Sequence, residues 1–199
     1  MASTNVEKVE LGFNVDSDTK PKKDWVLLSL RVIAFLATAS ATIVMATNKQ
    51  TKNLIVATIG STPIRATLTA KFNQSPAFVY FVIANASASL HNLVMISVDI
   101  LGPLYDYKGL RLAMIAILDM LAMALASSGD GAATFISELG KNGNKDARWN
   151  KICDKFENYC SQGGGALIAS FIGFILLLII TVISITKLIN PNRINHASS

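Results

Sequence analysis

Four long apolar stretches separate the polar segments of this chain. They occupy residues 26–46, 77–101, 112–129 and 166–188. Each approaches or exceeds the roughly 20 residues that an α-helix needs to cross about 30 Å of hydrocarbon. The pattern predicts an all-α membrane protein, a four-helix transmembrane bundle over 25–188. A polar tail at 1–24 and a second tail at 189–199 flank this membrane domain.

The composition agrees with a small membrane protein. Of the 199 residues, 51% are hydrophobic and only 16% are charged, and the mean hydropathy is +0.43. Those values suit a polytopic membrane protein better than a soluble domain. The net charge of +5 is spread over loops and tails, so these basic residues are interpreted as solvated ends, and no nucleic-acid partner is expected.

Two charged residues lie inside the apolar stretches, Arg31 in the first and Asp119 in the third. A charge in hydrocarbon costs several kcal/mol unless it is paired or faces protein or water. Both residues lie at a similar predicted depth, roughly 10 Å from one boundary at 1.5 Å per residue. We therefore expect an intramembrane ion pair. His91 and Asn92 of the second stretch fall near the same level and could complete a polar layer.

Two roles remain open for the Arg31–Asp119 pair. It could only fix helix register and packing, or it could take part in a proton or ion relay. The packing role is favoured because one acidic residue lies deep in the predicted core and no broken helix marks a midplane substrate site.

The first loop, 47–76, shows a β pattern. Apolar residues alternate strictly with polar ones over 64–72, and 54–59 is a second β-rich run. The segment 60–63 (GSTP) between them has turn composition. The pattern predicts a small β-hairpin lying on the outer end of the bundle, with an irregular loop as the alternative.

The second loop, predicted at 130–165, contains the two cysteines of the chain, Cys153 and Cys160. Two cysteines this close in a membrane-protein ectodomain favour a disulfide, and two free thiols are the alternative. The apolar residues of 147–160 follow one helical face. Residues seven apart in an unbroken helix lie about 10.5 Å apart along its axis, whereas a disulfide needs Cα atoms within about 7 Å. A disulfide therefore requires the helix to end or bend between the cysteines, near 156–159, and the glycines of 163–165 would then turn the chain back into the membrane.

Orientation follows from the loops. Four spans place both termini on the same side, and the basic residues weakly favour a cytoplasmic position for them. The cysteines indicate that their own loop faces an oxidising compartment. Both termini are therefore expected in the cytoplasm.

Sequence motifs for enzymatic chemistry are missing. The chain has no Cys/His metal spacing, no glycine-rich phosphate loop before a helix and no nucleophile elbow, and it contains two histidines. We expect no enzyme activity, no catalytic residues, no cofactor and no bound metal.

Several runs resemble a known family. Residues 138–144 (ELGKNGN), 147–156 (ARWNKICDKF), 159–160 (YC) and 164–172 (GGALIASFI) are similar to those of the plant CASP-like proteins, relatives of the Casparian strip membrane domain proteins, and closest to the first CASP-like subgroup. The resemblance covers 25–188. It implies four spans with cytoplasmic termini, arranged as in MARVEL-domain proteins. It also implies a plasma-membrane location and association with itself and with other CASP-like proteins.

The resemblance also assigns residues. The characteristic arginine of the first span corresponds to Arg31, the aspartate of the third span to Asp119, and the paired loop cysteines to Cys153 and Cys160. The nine-residue first-loop signature of the Casparian-strip members has no counterpart in 47–76. The resemblance therefore implies membrane scaffolding in general rather than assembly at the strip itself.

Together these observations predict a non-enzymatic plasma-membrane scaffold. It would self-associate in the lipid bilayer and organise membrane domains or recruit cell-wall-modifying enzymes. The alternative is transport of protons or small solutes, or channel-like activity, through the Arg31/Asp119/His91 layer.

Overall fold

Four helices and one β-hairpin make up a computed structural model that describes residues 24–101 and 108–189. The helices are α1 (Trp25–Ala46), α2 (Pro76–Leu101), α3 (Lys108–Asn142) and α4 (Glu157–Ile189), and the strands are β1 (Lys49–Ile59) and β2 (Thr62–Lys71). A short 3₁₀ turn, Phe72–Gln74, joins β2 to α2. The predicted class, a four-helix membrane bundle with a hairpin in the first loop, is confirmed. The predicted tails lie almost wholly outside the described residues.

The helices form a ring in which each one packs against two neighbours. α1 packs against α2 and α4, and α3 packs against the same two helices. α1 and α3 therefore occupy opposite corners. Each of the four helices contains a stretch long and apolar enough to cross a membrane. We call the end of the bundle that carries β1 and β2 the hairpin end.

Small residues recur throughout the interior of the bundle, beside larger buried side chains such as Phe81 and Leu177. The buried alanines are Ala34, Ala41, Ala84, Ala88, Ala116, Ala122, Ala126, Ala133 and Ala166. Bulky side chains such as Ile33, Ile83 and Ile175 point outward and are exposed. Lipid is as apolar as a leucine side chain, so membrane helices gain little by burying large apolar groups and instead approach closely through small ones.

α3 and α4 extend beyond the predicted membrane spans. The predicted loop between the third and fourth spans, 130–165, is helical at 130–142, which belong to α3, and at 157–165, which belong to α4. α3 has 35 residues, about 52 Å at 1.5 Å per residue, so it is longer than the hydrocarbon alone requires. Hydropathy shows where the apolar side chains of a segment end, whereas the helix itself continues until its backbone hydrogen bonds end.

The connection between α3 and α4 spans residues 143–156 and folds back on itself. α3 ends at Asn142 and is followed by Gly143, which has φ +69; a Cβ there would lie 2.7 Å from the Trp149 carbonyl oxygen. Asn144 and Trp149 exchange two backbone hydrogen bonds, of 3.0 and 2.8 Å. The helical pattern predicted for 147–160 is therefore wrong up to 156. The Asn144–Trp149 pairing replaces helical hydrogen bonds at its start, and the backbone N–H groups of Ile152 and Cys153 donate instead to the Gly140 carbonyl oxygen at 2.8 and 3.2 Å. The glycines of 163–165 lie inside α4 and do not turn the chain.

The hairpin pairs its strands from Lys49↔Lys71 to Ile59↔Thr62, with a bulge between Ile55 and Ala57. Gly60 has φ +62, as the first position of a type II′ turn requires. The apolar face of the hairpin is exposed, with Ile59, Ile64 and Leu68 at 71%, 41% and 43% of full exposure. The expected half-buried face does not form within one chain, because the hairpin contacts the bundle at its base and projects beyond it.

Gly129 provides a test of close helix packing. A Cβ there would lie 2.9 Å from the Ala84 Cβ and 3.4 Å from the Phe81 Cα, whereas a Cβ at Gly131 would meet nothing within 4 Å. We expect Gly129→Leu to lower the free energy of unfolding by at least about 1–3 kcal/mol, because overpacking forces the helices apart. Gly131→Leu is the matched control, and it should be neutral or slightly stabilising. Denaturant unfolding in detergent checks this, and equal effects of the two variants would contradict the close α2–α3 contact.

Candidate functional site: a polar layer shared by four helices

Arg31 and Asp119 meet across the diagonal of the bundle. Arg31 Nη1 donates to Asp119 Oδ1 at 2.9 Å, and Nη2 donates to Oδ2 at 2.8 Å. Both residues are fully buried, with 1% and 0% of their surface exposed. This two-pronged arrangement is the geometry that a guanidinium makes best with a carboxylate. The predicted pairing partners therefore lie together, although their helices are not neighbours in the ring.

The other two helices also bind Asp119. His91 of α2 lies with Nε2 2.7 Å from Oδ1, and Ser184 of α4 donates from Oγ to Oδ2 at 2.6 Å. Because an ionised carboxylate can only accept, His91 Nε2–H is the donor in this contact. One carboxylate thus receives four hydrogen bonds from three helices. We call Arg31, His91, Asp119 and Ser184 the four-helix layer.

Each helix supplies its member of this layer from its buried face. On α1, Arg31 continues the row Ala34, Thr38, Ala41 and Met45 at steps of three and four. On α4, Ser184 continues the row of Leu177, Ile180 and Thr181. Residues three and four apart lie on one side of a helix. The same periodicity that buries the apolar core therefore points these polar groups at the axis.

Two more polar residues lie beside the four-helix layer. Asp99, 31% exposed, has Oδ2 3.7 Å from Arg31 Nε, so a second carboxylate faces the guanidinium from the end opposite the hairpin. Asn92 is buried, but its side-chain amide donates to the Ala88 carbonyl oxygen at 3.0 Å. Of the two residues predicted for the polar layer, the structure places His91 on Asp119 and keeps Asn92 on its own helix.

The hydrogen bonds of Asp119 limit its chemistry. A carboxylate offers about four lone-pair positions, and Arg31, His91 and Ser184 occupy four. A relay residue must accept and release a proton during its cycle. In this geometry all of these positions bind neighbouring helices, and none is left to accept a transferred proton.

A second buried polar cluster lies nearer the hairpin end and was not predicted. Ser170 Oγ lies 2.7 Å from Asn85 Oδ1 and 2.5 Å from Asp130 Oδ1. Asp130 is 1% exposed, so the expectation of a single deep acidic residue was wrong. Asp130 follows Asp119 by 11 residues, about three helical turns. That spacing puts Asp130 on the same inward face as Asp119. The predicted third span ended at residue 129, so Asp130 was assigned to the loop.

The count of hydrogen-bond donors and acceptors around Asp130 favours a neutral carboxyl over an ionised one. Ser170 has one hydroxyl proton but two oxygen neighbours, so it can donate to Asn85 while accepting from a neutral Asp130 carboxyl. Among the described residues, Asp130 Oδ2 has no hydrogen-bond partner. A charged carboxylate buried in that way would be costly. The two buried acids of α3 therefore differ in their partners: Asp119 is paired with Arg31, whereas Asp130 Oδ2 has no partner among the described residues.

The two cysteines are joined outside the bundle core. Cys153 and Cys160 form a disulfide with their Cα atoms 5.6 Å apart. α4 begins at Glu157, between them, so Cys160 sits in the first turn of the helix and Cys153 in the preceding turn segment. This is the interruption that the geometry of a seven-residue spacing required. The bond ties the α3–α4 connection to the start of α4.

Comparison with known proteins places this architecture in a family. The model of the Casparian strip membrane protein domain matches residues 20–176. This chain belongs to that family. It is 67% identical to CASP-like protein 1B1 of Glycine max, over 98% of this chain and 100% of the relative. It is also 59% identical to CASP-like protein 1B2 of Vitis vinifera over the full length of both chains.

More distant relatives carry the same kind of name. CASP-like protein 1B1 of Arabidopsis thaliana is 55% identical over 88% of this chain and 89% of its own length. No solved structure matches the chain. Family membership, together with the four membrane-length helices, makes it a multi-pass membrane protein of the CASP-like type.

The four-helix layer can be tested through Ser184. We expect Ser184→Ala to lower the free energy of unfolding by about 1–2 kcal/mol, because Asp119 loses one charge-assisted hydrogen bond. Ser97→Ala is the matched control, since Ser97 is exposed and its hydroxyl donates only to its own helix, to the Leu93 carbonyl oxygen at 2.9 Å. Unfolding in detergent measures both variants. An effect of Ser97→Ala as large as that of Ser184→Ala would contradict the role of Ser184.

The two acids should respond differently to removal of charge. Asp119→Asn removes the two-pronged counter-ion of the buried Arg31 and leaves it with the more distant, partly exposed Asp99, so it should cost about 3–5 kcal/mol. Asp130→Asn should change the free energy of unfolding by less than about 1 kcal/mol, because an amide N–H can replace the carboxyl O–H that donates to Ser170. Infrared spectra should also show a protonated carboxylic acid band that Asp130→Asn removes. Absence of that band from the unsubstituted protein would contradict a neutral Asp130.

Proposed function

We propose that this CASP-like protein is a non-enzymatic scaffold of the plasma membrane. It associates with copies of itself and with other CASP-like proteins, organises membrane domains and recruits cell-wall-modifying enzymes. Both termini lie in the cytoplasm, and the hairpin and the disulfide-bonded turn lie on the wall side. The disulfide supports this orientation because such bonds persist in oxidising compartments.

The observation that carries the proposal is the fully occupied carboxylate of Asp119. When the buried charges of a membrane protein are paired between its helices, they favour a single arrangement of those helices. A scaffold needs a stable body that presents constant surfaces to its neighbours. The four-helix layer supplies that stability and leaves the outward faces and loops available for contacts.

The exposed face of the hairpin supports self-association. Ile59, Ile64 and Leu68 lie on one side of the hairpin and are exposed in a single chain, while Thr51, Thr67 and Thr69 form side-chain hydrogen bonds on the other side. A two-stranded hairpin is marginally stable by itself and gains from covering its apolar face. In the proposal a second copy covers it, since copies held in one bilayer present their hairpins at the same height.

Lateral mobility tests the scaffold function. We expect a C-terminally tagged copy in the plasma membrane of a plant cell to show slow photobleaching recovery within defined patches, because an associated scaffold exchanges slowly. Fast and uniform recovery, like that of a freely diffusing four-span protein expressed beside it, would contradict self-scaffolding.

The contribution of the hairpin to self-association can be tested with variants of the hairpin alone. Ile64→Thr combined with Leu68→Thr keeps strand-forming residues but removes apolar contact, so recovery should quicken severalfold. Arg65→Thr, on the opposite face between the same two positions, is the control and should recover like the unsubstituted protein. If the apolar-face variant recovers no faster than the control, the hairpin is not the contact surface.

Charge reversal separates the scaffold from transport through the Arg31/Asp119/His91 layer. Arg31→Asp and Asp119→Arg should each prevent surface expression, because each buries two like charges at one place. The double reversal should restore part of it and should restore immobile patches with it. A double variant that reaches the surface in normal amounts but forms no patches would contradict a purely structural pair and favour transport.

A further inference from the structure

Basic residues outnumber acidic ones at the hairpin end of the bundle. Residues 48–74 and 138–163 contain nine lysines and arginines but four carboxylates, and no acidic residue lies in 48–74. Within the described part of the chain, none of these nine cations forms an ion pair. An excess of one sign of charge attracts ions of the other sign. The hairpin end therefore suits an anionic partner. The nine cations are Lys49, Lys52, Arg65, Lys71, Lys141, Lys145, Arg148, Lys151 and Lys155.

Membrane insertion does not account for this charge. With both termini in the cytoplasm, as proposed above, the hairpin end lies on the outer side of the membrane. Basic residues are normally enriched in the loops of the cytoplasmic side. The positive charge of the hairpin end therefore opposes the insertion bias, and an interaction outside the membrane is left to explain it.

Arg148 occupies a backbone conformation that favours glycine. Its φ is +56, and its N–H donates to the Lys145 carbonyl oxygen at 3.2 Å across the turn. A side chain in this left-handed region is strained, because its Cβ lies too close to the following carbonyl oxygen, and glycine avoids that contact. The arginine at this turn therefore costs stability, while its exposed side chain is available to a ligand.

Trp149, the next residue, lines a groove of about 350 Å³ on the surface of the connection. Its side chain is 56% exposed. Ile136 and Leu139 add apolar surface to the groove, and Arg148 and Asn150 add polar groups. An apolar cleft of this volume with a few polar groups is typical of a small-ligand site.

The groups of this groove match the chemistry of an acidic sugar. A sugar ring presents C–H groups on its faces and hydroxyl groups around its rim. The C–H groups pack on the electronegative face of an indole, here that of Trp149. The hydroxyl groups can bind the amide of Asn150, and a sugar carboxylate is the group that the guanidinium of Arg148 binds best.

Lipid headgroups fit this groove less well. Gly140 lines the groove and lies 11 residues beyond the end of the third apolar stretch at 129, roughly 16 Å at 1.5 Å per residue. The headgroup region extends only about 5–8 Å beyond the hydrocarbon on each side. A polymer in solution reaches the groove, whereas the headgroups of the protein's own membrane do not.

We propose that the hairpin end binds an acidic polysaccharide, a polymer of uronate sugars. Trp149 stacks on one sugar ring and Arg148 binds its carboxylate, while the other cations of the hairpin end attract the rest of the polymer. The natural source of this ligand rests on the proposed function, since the hairpin end meets such a polymer only if it faces the cell wall.

The left-handed turn provides an unusually clean variant. Arg148→Gly removes the guanidinium and supplies the residue that the backbone prefers, so it should keep or raise the free energy of unfolding while it weakens binding. Trp149→Ala removes the stacking surface and leaves the backbone pairing with Asn144 intact. Arg65→Gln, on the hairpin, removes one positive charge outside the groove and is the matched control.

The probe is an oligomer of galacturonate, and its methyl ester keeps the sugar rings but loses the charges. Binding is measured by titration calorimetry on the full chain in phosphatidylcholine nanodiscs, with empty nanodiscs subtracted. We expect saturable binding of the oligomer that weakens steeply as salt is raised, and little binding of the ester. Arg148→Gly should weaken binding about tenfold, the equivalent of one charge-assisted hydrogen bond. Trp149→Ala should weaken it roughly fivefold, and Arg65→Gln by less than about twofold.

Four results would overturn the proposal. Equal affinity for the oligomer and its methyl ester would exclude a role for the cations. Equal affinity for polyglutamate of the same length would show that charge acts without a sugar ring. An effect of Arg65→Gln as large as that of Arg148→Gly would place binding outside the groove. Loss of oligomer binding in nanodiscs that contain phosphatidylserine would mean that lipid headgroups occupy the surface.

The outcome is separable from that of the scaffold proposal. Nanodiscs expose both ends of the bundle, so the titration depends neither on orientation nor on self-association. Failure of binding would leave slow photobleaching recovery unchanged, and fast recovery would leave the binding result unchanged.

Discussion

The fold depends on the hydrogen bonds that stabilise one carboxylate inside the hydrocarbon of the membrane. Asp119 accepts hydrogen bonds from Arg31, His91 and Ser184, and these four residues come from four different helices. Removing one partner exposes the others to an environment that solvates ions poorly. The layer therefore links all four helices at one level, in a bundle whose core combines buried alanines with larger side chains such as Phe81 and Leu177. These directional polar contacts specify the register of each helix relative to the others.

The pair of Arg31 and Asp119 could be predicted because charges in apolar stretches are rare and must be compensated. Their equal depth followed from counting residues, and His91 followed from the same count. Ser184 could not be found in this way, since a serine inside a long apolar helix carries no charge and usually bonds to its own backbone. The order of the helices in the ring could not be predicted from the sequence either. This order places Arg31 and Asp119 on helices at opposite corners rather than on neighbouring helices.

The errors at the hairpin end have a common physical origin. Hydropathy located the edge of the apolar stretch near residue 129, but α3 continues to Asn142 and keeps Asp130 inside. The apolar spacing of 147–160 suggested a helix, but local backbone pairing between Asn144 and Trp149 takes over there. Strand composition and alternation located the hairpin at 54–59 and 64–72, but its strands are longer, Lys49–Ile59 and Thr62–Lys71, and the turn is confined to 60–61. Its exposure was not predictable, since period-two patterning indicates that one face is apolar and not what covers it.

The diagonal placement of the ion pair has a consequence for how the chain is made. Arg31 precedes Asp119 by 88 residues, so within the first two helices the guanidinium can meet the partly exposed Asp99 of α2 but not Asp119. The two-pronged pairing begins with α3, and the Asp119 carboxylate gains its last hydrogen bond from Ser184, close to the end of α4. A truncated or wrongly inserted chain thus keeps a buried charge whose hydrogen bonds are incomplete. The same residues that fix the finished bundle also make incomplete copies chemically distinct from complete ones, before any of them leaves the membrane in which it was assembled.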